Sequence, residues 1–149
     1  MVSFDTNVLV YATASTSDAK VMRARDVIAR AMRASASVLF LQTLAEFSNV
    51  AIRKARIPVK DIRRTIDAWC AVLPIQAADE SDLLAALEAV RAHRLAFWDA
   101  MLWASARRAG VRHLLTEDLQ DGFVLQGVTF INPFNQENDQ LIDELLPQS

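Results

Sequence analysis

Cysteine, histidine, glycine and proline are all scarce in this chain of 149 residues, which holds one, two, three and four of them respectively. A lone cysteine excludes an internal disulfide. Cys70 sits in the helical-looking run from Ile66 to Val72 with no histidine in a recognisable partner arrangement, which predicts a buried structural thiol rather than a nucleophile. His93 and His113 stand alone in the sequence, so structural or solvent-facing roles suit them better than metal ligation. So few glycines and prolines leave long stretches free of helix breakers. No apolar run approaches the roughly 20 residues of a membrane span. The opening Met1-Val2-Ser3-Phe4-Asp5 has neither the basic start nor the apolar stretch of an export signal, and with the lone thiol this predicts a cytoplasmic location.

Basic residues are missing from one end of the chain. After Arg112 there is no Lys or Arg, while seven acidic residues follow between Glu117 and the C-terminus. Residues 20–64 show the opposite bias, with eleven basic side chains against Asp26, Glu46 and Asp61. The net charge of −2 therefore hides a segment of +8. Most of these charges suit solvated helix faces, but a flank able to hold phosphates is compatible with the pattern.

What is abundant is apolar: 52% of residues are hydrophobic, enough for one ordinary core at this length. Val2-Ser3-Phe4, Ser37 to Leu41, Leu73-Pro74-Ile75, His113 to Thr116 and Val128 to Ile131 read as short strands, with proline marking the third as an edge. Helical spacing appears after Asp5-Thr6-Asn7, from Ser17-Asp18 to about Met32, from Leu44 to Arg56, from Val59 to Val72, from Leu83 to His93 and from Trp98 to Ala109. Strands alternating with helices predict an α/β domain with a mainly parallel sheet covered on both faces. That domain spans residues 1–134, and the remaining tail, 135–149, carries Leu141, Ile142, Leu145 and Leu146 at the spacing of a short amphipathic helix.

Four acids fall where such a fold gathers ligands. Asp5 follows the first strand and Asp118 follows the strand ending at Thr116, so neighbouring strands bring them to one sheet edge. Glu46 and Asp99 lie near the starts of two helices that leave the same rim. Each has a simpler explanation: Asp5 as a helix cap, Thr43-Leu44-Ala45-Glu46 as a capping box, Asp99 as a first-turn acid, and Asp118 as a turn residue. Asp99 resists its explanation, because Phe97, Trp98, Ala100, Met101, Leu102 and Trp103 surround it and no Lys or Arg lies between Phe97 and Ala106. Phe97 and Trp98 themselves suit core packing better than stacking on a base. Converging carboxylates repel by about 4 kcal/mol per pair at 4 Å, and a divalent cation offsets that cost. All-oxygen donors select Mg²⁺ or Mn²⁺.

Four blocks in order carry a family resemblance: Phe4 to Ala12, Leu44 to Val50, Trp98 to Leu102, and Leu115 to Gly122. Together they resemble the PIN-domain ribonucleases, above all the VapC toxins of VapBC toxin-antitoxin pairs, over residues 2–134. The resemblance implies a three-layer α/β/α fold, a Mg²⁺ or Mn²⁺ centre, and hydrolysis of RNA to 5′-phosphate and 3′-hydroxyl ends. It makes Asp5 and Asp99 the principal metal ligands, with Glu46 and Asp118 completing the site directly or through water, and Asn7 and Thr116 as supporting groups. Among Glu117, Asp118 and Asp121 it leaves open which acid reaches the metal. It also implies homodimers and a cognate antitoxin. A PIN-like module that binds RNA or protein without catalysis is the alternative. The haloacid-dehalogenase phosphatases also place an aspartate after a first strand, but Asn7 stands where they need a second acid.

Overall fold

Val2, Ser3 and Phe4 form β1 (Val2–Phe4), a strand buried over its whole length. It pairs in parallel with β4 (His113–Leu115), which pairs in parallel with β6 (Val128–Ile131). β5 (Val124–Leu125) closes the far edge antiparallel to β6, giving the order β1-β4-β6-β5. A second parallel pair, β2 (Leu39–Phe40) and β3 (Ile75–Gln76), meets the free edge of β1 through a bridge between Val2 and Ser37. There the Val2 amide donates to the Ala36 carbonyl at 2.9 Å, and the Val38 amide donates to the Val2 carbonyl at 3.1 Å. The computed structural model describes residues 1–148.

Among the described residues seven α-helices cover the strands: α1 (Thr6–Thr13), α2 (Ala19–Ala34), α3 (Leu41–Arg53), α4 (Val59–Cys70), α5 (Glu80–His93), α6 (Phe97–Arg108) and α7 (Asp139–Leu145). Alternation along the strands builds two separate cores. Phe4, Leu115 and Ile131 face one layer, where they meet Leu9, Val27, Phe47 and the α7 residue Ile142. Leu114 and Phe130 face the other, packed with Phe40, Met101 and Trp103. The result is the three-layer α/β/α arrangement with a mainly parallel sheet that the alternating pattern predicts.

Several local expectations need correction. The strand expected over residues 37–41 is only Leu39–Phe40, because Leu41 already begins α3. Thr43 therefore lies inside that helix and is buried, and the Thr43–Glu46 capping box does not exist; the N-cap is Phe40, with no side-chain bond. The strand expected at 73–75 slides to Ile75–Gln76, where Pro74 contributes only its carbonyl, accepting from the Leu39 amide at 3.0 Å. β5 is a strand that the apolar pattern does not predict: it turns into β6 through Gln126 and Gly127, both with positive φ. A Gln-Gly pair makes that hairpin turn without the Asn-Gly or Asp-Gly signal that usually announces it. Cys70 is exposed rather than buried, because α4 turns Ile62 and Trp69 inward and the next position points to solvent.

The tail is anchored. Ile142 and Leu146 are fully buried, and the buried guanidinium of Arg30 reaches across to Asp143 and to the Leu146 carbonyl.

Candidate active site

The acidic centre starts at the carboxyl end of β1. Asp5 is the N-cap of α1, and its Oδ1 accepts the Thr6 amide at 2.7 Å. The helix-cap explanation of Asp5 is thus correct as far as it goes, but it occupies only one oxygen. Oδ2 accepts from the Thr116 hydroxyl at 2.8 Å, a bond that ties the end of β1 to the end of β4. Asp5 and Thr116 are both buried, at 7% and 0% exposure.

Asp118 joins from the loop after β4. Its amide donates to Thr116 Oγ1 at 3.2 Å, and its Oδ2 accepts from Asn7 Nδ2 at 3.0 Å. That same Asn7 nitrogen lies 3.5 Å from Asp5 Oδ2, so one amide group spans two carboxylates. Asn7 Oδ1 in turn accepts the Glu117 amide at 3.4 Å and holds the loop down.

Glu46 comes from the middle of α3. The Thr6 hydroxyl donates to its Oε2 at 3.4 Å, and Gln42, one turn earlier, donates to its Oε1 at 2.7 Å. Gln42 Nε2 also lies 2.9 Å from the Trp98 carbonyl, which links α3 to the first turn of α6, where Asp99 stands. Neither Thr6 nor Gln42 was singled out from the sequence. The four-residue spacing from Gln42 to Glu46 was the available signal, while the partners of Thr6 and of the second Gln42 bond are 40 and 56 residues away.

The electrostatics show that the four acids share one field. Burial pushes the Asp5 carboxyl up to about 6, against the opposing bonds from Thr116 and Thr6, and the charges of Asp99 and Asp118 push the same way. Asp99 is raised too, by burial first and then by Asp118 and Glu46. No Lys or Arg forms an ion pair with any of the four among the described residues.

The loop acids separate cleanly. Glu117 is ion-paired with Lys20, whose ammonium lies over the rings of Tyr11 and Phe134 at 5.4 and 5.5 Å. Asp121 accepts from the Asn132 amide and from the side chains of Asn135 and Asn138 at 2.8 to 2.9 Å. Burial opposes charge at Asp121, yet those donors hold its carboxyl below the ordinary range. Only Asp118 of the three turns toward Asp5 and Asn7.

The donor set is chemically suited to a hard divalent cation: four carboxylates, no thiolate and no imidazole. In their present positions no three such side chains among the described residues close to metal-binding distance. The Asn7 amide placed between Asp5 and Asp118 meets part of the same need for positive charge. The residues therefore fit a cation by chemistry and by field, with side-chain adjustment needed to grip it.

The sequence pattern of the PIN domain matches residues 2–121. The chain belongs to the PIN-domain family. PIN domains are nucleases, and the match takes in all four acids of this centre. Among solved structures, this PIN domain resembles VapC20 of Mycobacterium tuberculosis, a toxin that cleaves the sarcin-ricin loop, with TM-score 0.65 and 16% identity over 79% of this chain and 90% of that one. It also resembles a toxin-antitoxin complex from Klebsiella pneumoniae, with TM-score 0.65 and 20% identity over 89% and 98% of the two chains. FitAcB of Neisseria gonorrhoeae aligns with TM-score 0.63 and 16% identity over 90% and 99%. At such identities the likeness speaks for the fold. No curated protein matches the chain in sequence. No helix of the PIN domain is long and apolar enough to cross a membrane among the described residues.

Two further expectations are corrected here. Trp98 is 60% exposed and Phe97 37% exposed, so neither is a core residue; the buried face of α6 is taken by Met101, Leu102 and Trp103 instead. The basic segment 20–64 is not one uniform flank. Lys20 pairs with Glu117, Arg23 with Asp139, Arg63 with Asp67 and Arg64 with Asp61, Arg25 caps the Ala12 and Ala14 carbonyls, and Arg30 is buried against Asp26 and Asp143, which leaves Arg33, Arg53, Lys54, Arg56 and Lys60 without an ion-pair partner among the described residues.

Proposed function

We propose that this PIN domain is a ribonuclease that hydrolyses RNA phosphodiester bonds with Mg²⁺ or Mn²⁺, and that it serves as the toxin of a toxin-antitoxin pair. What supports the reading is the convergence of Asp5 and Asp118 on one Asn7 amide, with the charges of Asp99 and Glu46 acting on the same centre and no Lys or Arg paired with any of the four among the described residues. A centre of that kind weakens folding unless positive charge enters it.

Asp5 and Asp99 hold the cation in this reading, with Glu46 and Asp118 binding directly or through water. When bound, the cation supplies a polarised water for in-line attack and charge to offset the developing negative phosphorane. The protein's own task is placement. Thr116 and the Thr6 amide fix both oxygens of Asp5, Asn7 fixes Asp118, and Gln42 fixes Glu46. Such restraint matters because small misplacements of a reacting group cost large factors in rate. The products carry 5′-phosphate and 3′-hydroxyl ends.

The exposed bases at the end of α3 and start of α4 suit RNA phosphates lying outside the acidic centre. Arg53, Lys54, Arg56, Lys60, Arg63 and Arg64 are all exposed, with Asp61 as the only acid among residues 53–64. The toxin role rests on the structural neighbours, one of which is a toxin that cleaves the sarcin-ricin loop and another a toxin-antitoxin complex. It brings with it a homodimer and a cognate antitoxin that blocks the centre.

The test is cleavage of defined RNAs by the purified protein with Mn²⁺, with and without chelator. Cleavage that needs metal and falls at least about a hundredfold in Asp99→Asn supports the reading. Tight RNA binding with no cleavage under any metal supports a binding module instead.

A further inference from the structure

Trp98 differs from the other tryptophans of the chain. Trp69 and Trp103 are buried at 7% and 2% exposure, whereas Trp98 leaves 60% of its surface in solvent in the turn of α6 that carries Asp99. Leaving an indole in water forgoes most of the burial energy that a large aromatic side chain supplies, so the position does not serve the fold. Nor is its backbone loose. The Trp98 carbonyl accepts from Gln42, the same side chain that donates to Glu46, so the backbone that carries the indole is tied to the helix that carries Glu46.

The ring has one supported side. Phe97 meets it edge-on, with centroids 5.0 Å apart and planes at 66°. Leu41, 54% exposed, precedes Gln42 and adds apolar surface where α3 begins. An aromatic platform thus borders a strongly acidic centre. A planar base carries no net charge, so the carboxylates of Asp99 and Glu46 do not repel one that rests there. Bases of every kind offer a π-face, and one must be unpaired to do so.

We propose that Trp98, backed by Phe97, stacks on an unpaired nucleobase next to the scissile phosphate and makes the site select single-stranded over duplex RNA. This rests on the ribonuclease reading above and adds the residue that takes hold of a substrate base. Trp98 is a specificity residue in this account, since it touches the substrate without touching the reacting atoms.

The test compares wild type, Trp98→Ala and Trp98→Phe as full chains, with Mn²⁺, on a mixed-sequence 12-nucleotide RNA and on the same RNA annealed to its complement. Because the side chain is exposed, all three proteins melt at the same temperature. Stacking of this kind contributes enough that Trp98→Ala raises KM for the single strand by about fivefold to 150-fold. Trp98→Phe recovers most of that loss, and the preference over duplex shrinks only in the alanine variant. Single-stranded RNA also quenches wild-type indole emission and leaves Trp98→Phe unchanged, since the other two indoles are buried. Metal-dependent cleavage with the same KM and the same strand preference in Trp98→Ala overturns the inference and leaves the ribonuclease reading standing. Absence of cleavage by wild type on any RNA removes both.

Discussion

The Thr116 hydroxyl donates to Asp5 Oδ2 at 2.8 Å, joining residues 111 positions apart. That bond exists because β1 and β4 are parallel neighbours that end together, with Phe4 opposite Leu115. The strand order thus sets the chemistry: the same edge that seats Asp5 also delivers Asp118 and the Asn7 amide between them.

Burial of Asp5 sets a pH dependence whose sign is fixed. Its folded-state carboxyl stands at about 6, above the ordinary 3.8, so between those values the folded protein holds the proton more tightly than the unfolded chain. Stability without metal is fullest below about pH 4 and falls as pH rises toward about 6, by on the order of 3 kcal/mol if Asp5 acts alone. Asp5→Asn keeps the acceptor for the Thr6 amide and carries no charge. Thermal melts in chelator from pH 4 to 7 are expected to show this downward slope in wild type and a shallower one in Asp5→Asn, which melts higher at pH 7.

The tail contributes to folding rather than hanging from it. Ile142 is fully buried against the core that holds Phe4 and Phe47, and Arg30 clamps α7 from beneath through Asp143. Ile142→Ala is expected to cost about 2 to 5 kcal/mol in chemical denaturation. Limited proteolysis should then cut the variant near residues 135–148 before wild type is touched.

The basic end of α3 and start of α4 carries a separable prediction. Arg56 and Lys60 are exposed and have no ion-pair partner among the described residues. Arg56→Gln and Lys60→Gln each weaken binding to single-stranded RNA in a sequence-independent way. Each is expected to reduce the slope of log affinity against log salt by about 0.7, which titrations at three or more salt concentrations resolve.

Much of this was legible in the chain. The alternation of strand and helix gave the layers, and Asp5 and Asp118 could be placed at one sheet edge because each follows a short apolar strand. Asp99 was legible through its apolar neighbours and the lack of any basic residue near it. What could not be read was cross-chain pairing. Nothing local says that Lys20 takes Glu117 out of the centre, that Asp121 is spent on Asn132, Asn135 and Asn138, or that Gln42 fastens the Trp98 backbone. Composition misled at Cys70, Phe97 and Trp98, since a residue's apolar character does not reveal which side of its helix faces the core. The Thr43–Glu46 box misled as well, because α3 begins two residues before Thr43.

If Asp5, Glu46, Asp99 and Asp118 form one cation site, the purified protein binds Mn²⁺ through them. Calorimetric titration of metal-free wild type, Asp5→Asn and Asp99→Asn is paired with thermal melts at a Mn²⁺ concentration one hundred times the wild-type Kd. Wild type is expected to bind Mn²⁺ saturably and to gain about 2.7 kcal/mol of stability, with both variants losing at least tenfold in affinity. Equal Mn²⁺ affinity and equal stabilisation in all three proteins would contradict the account.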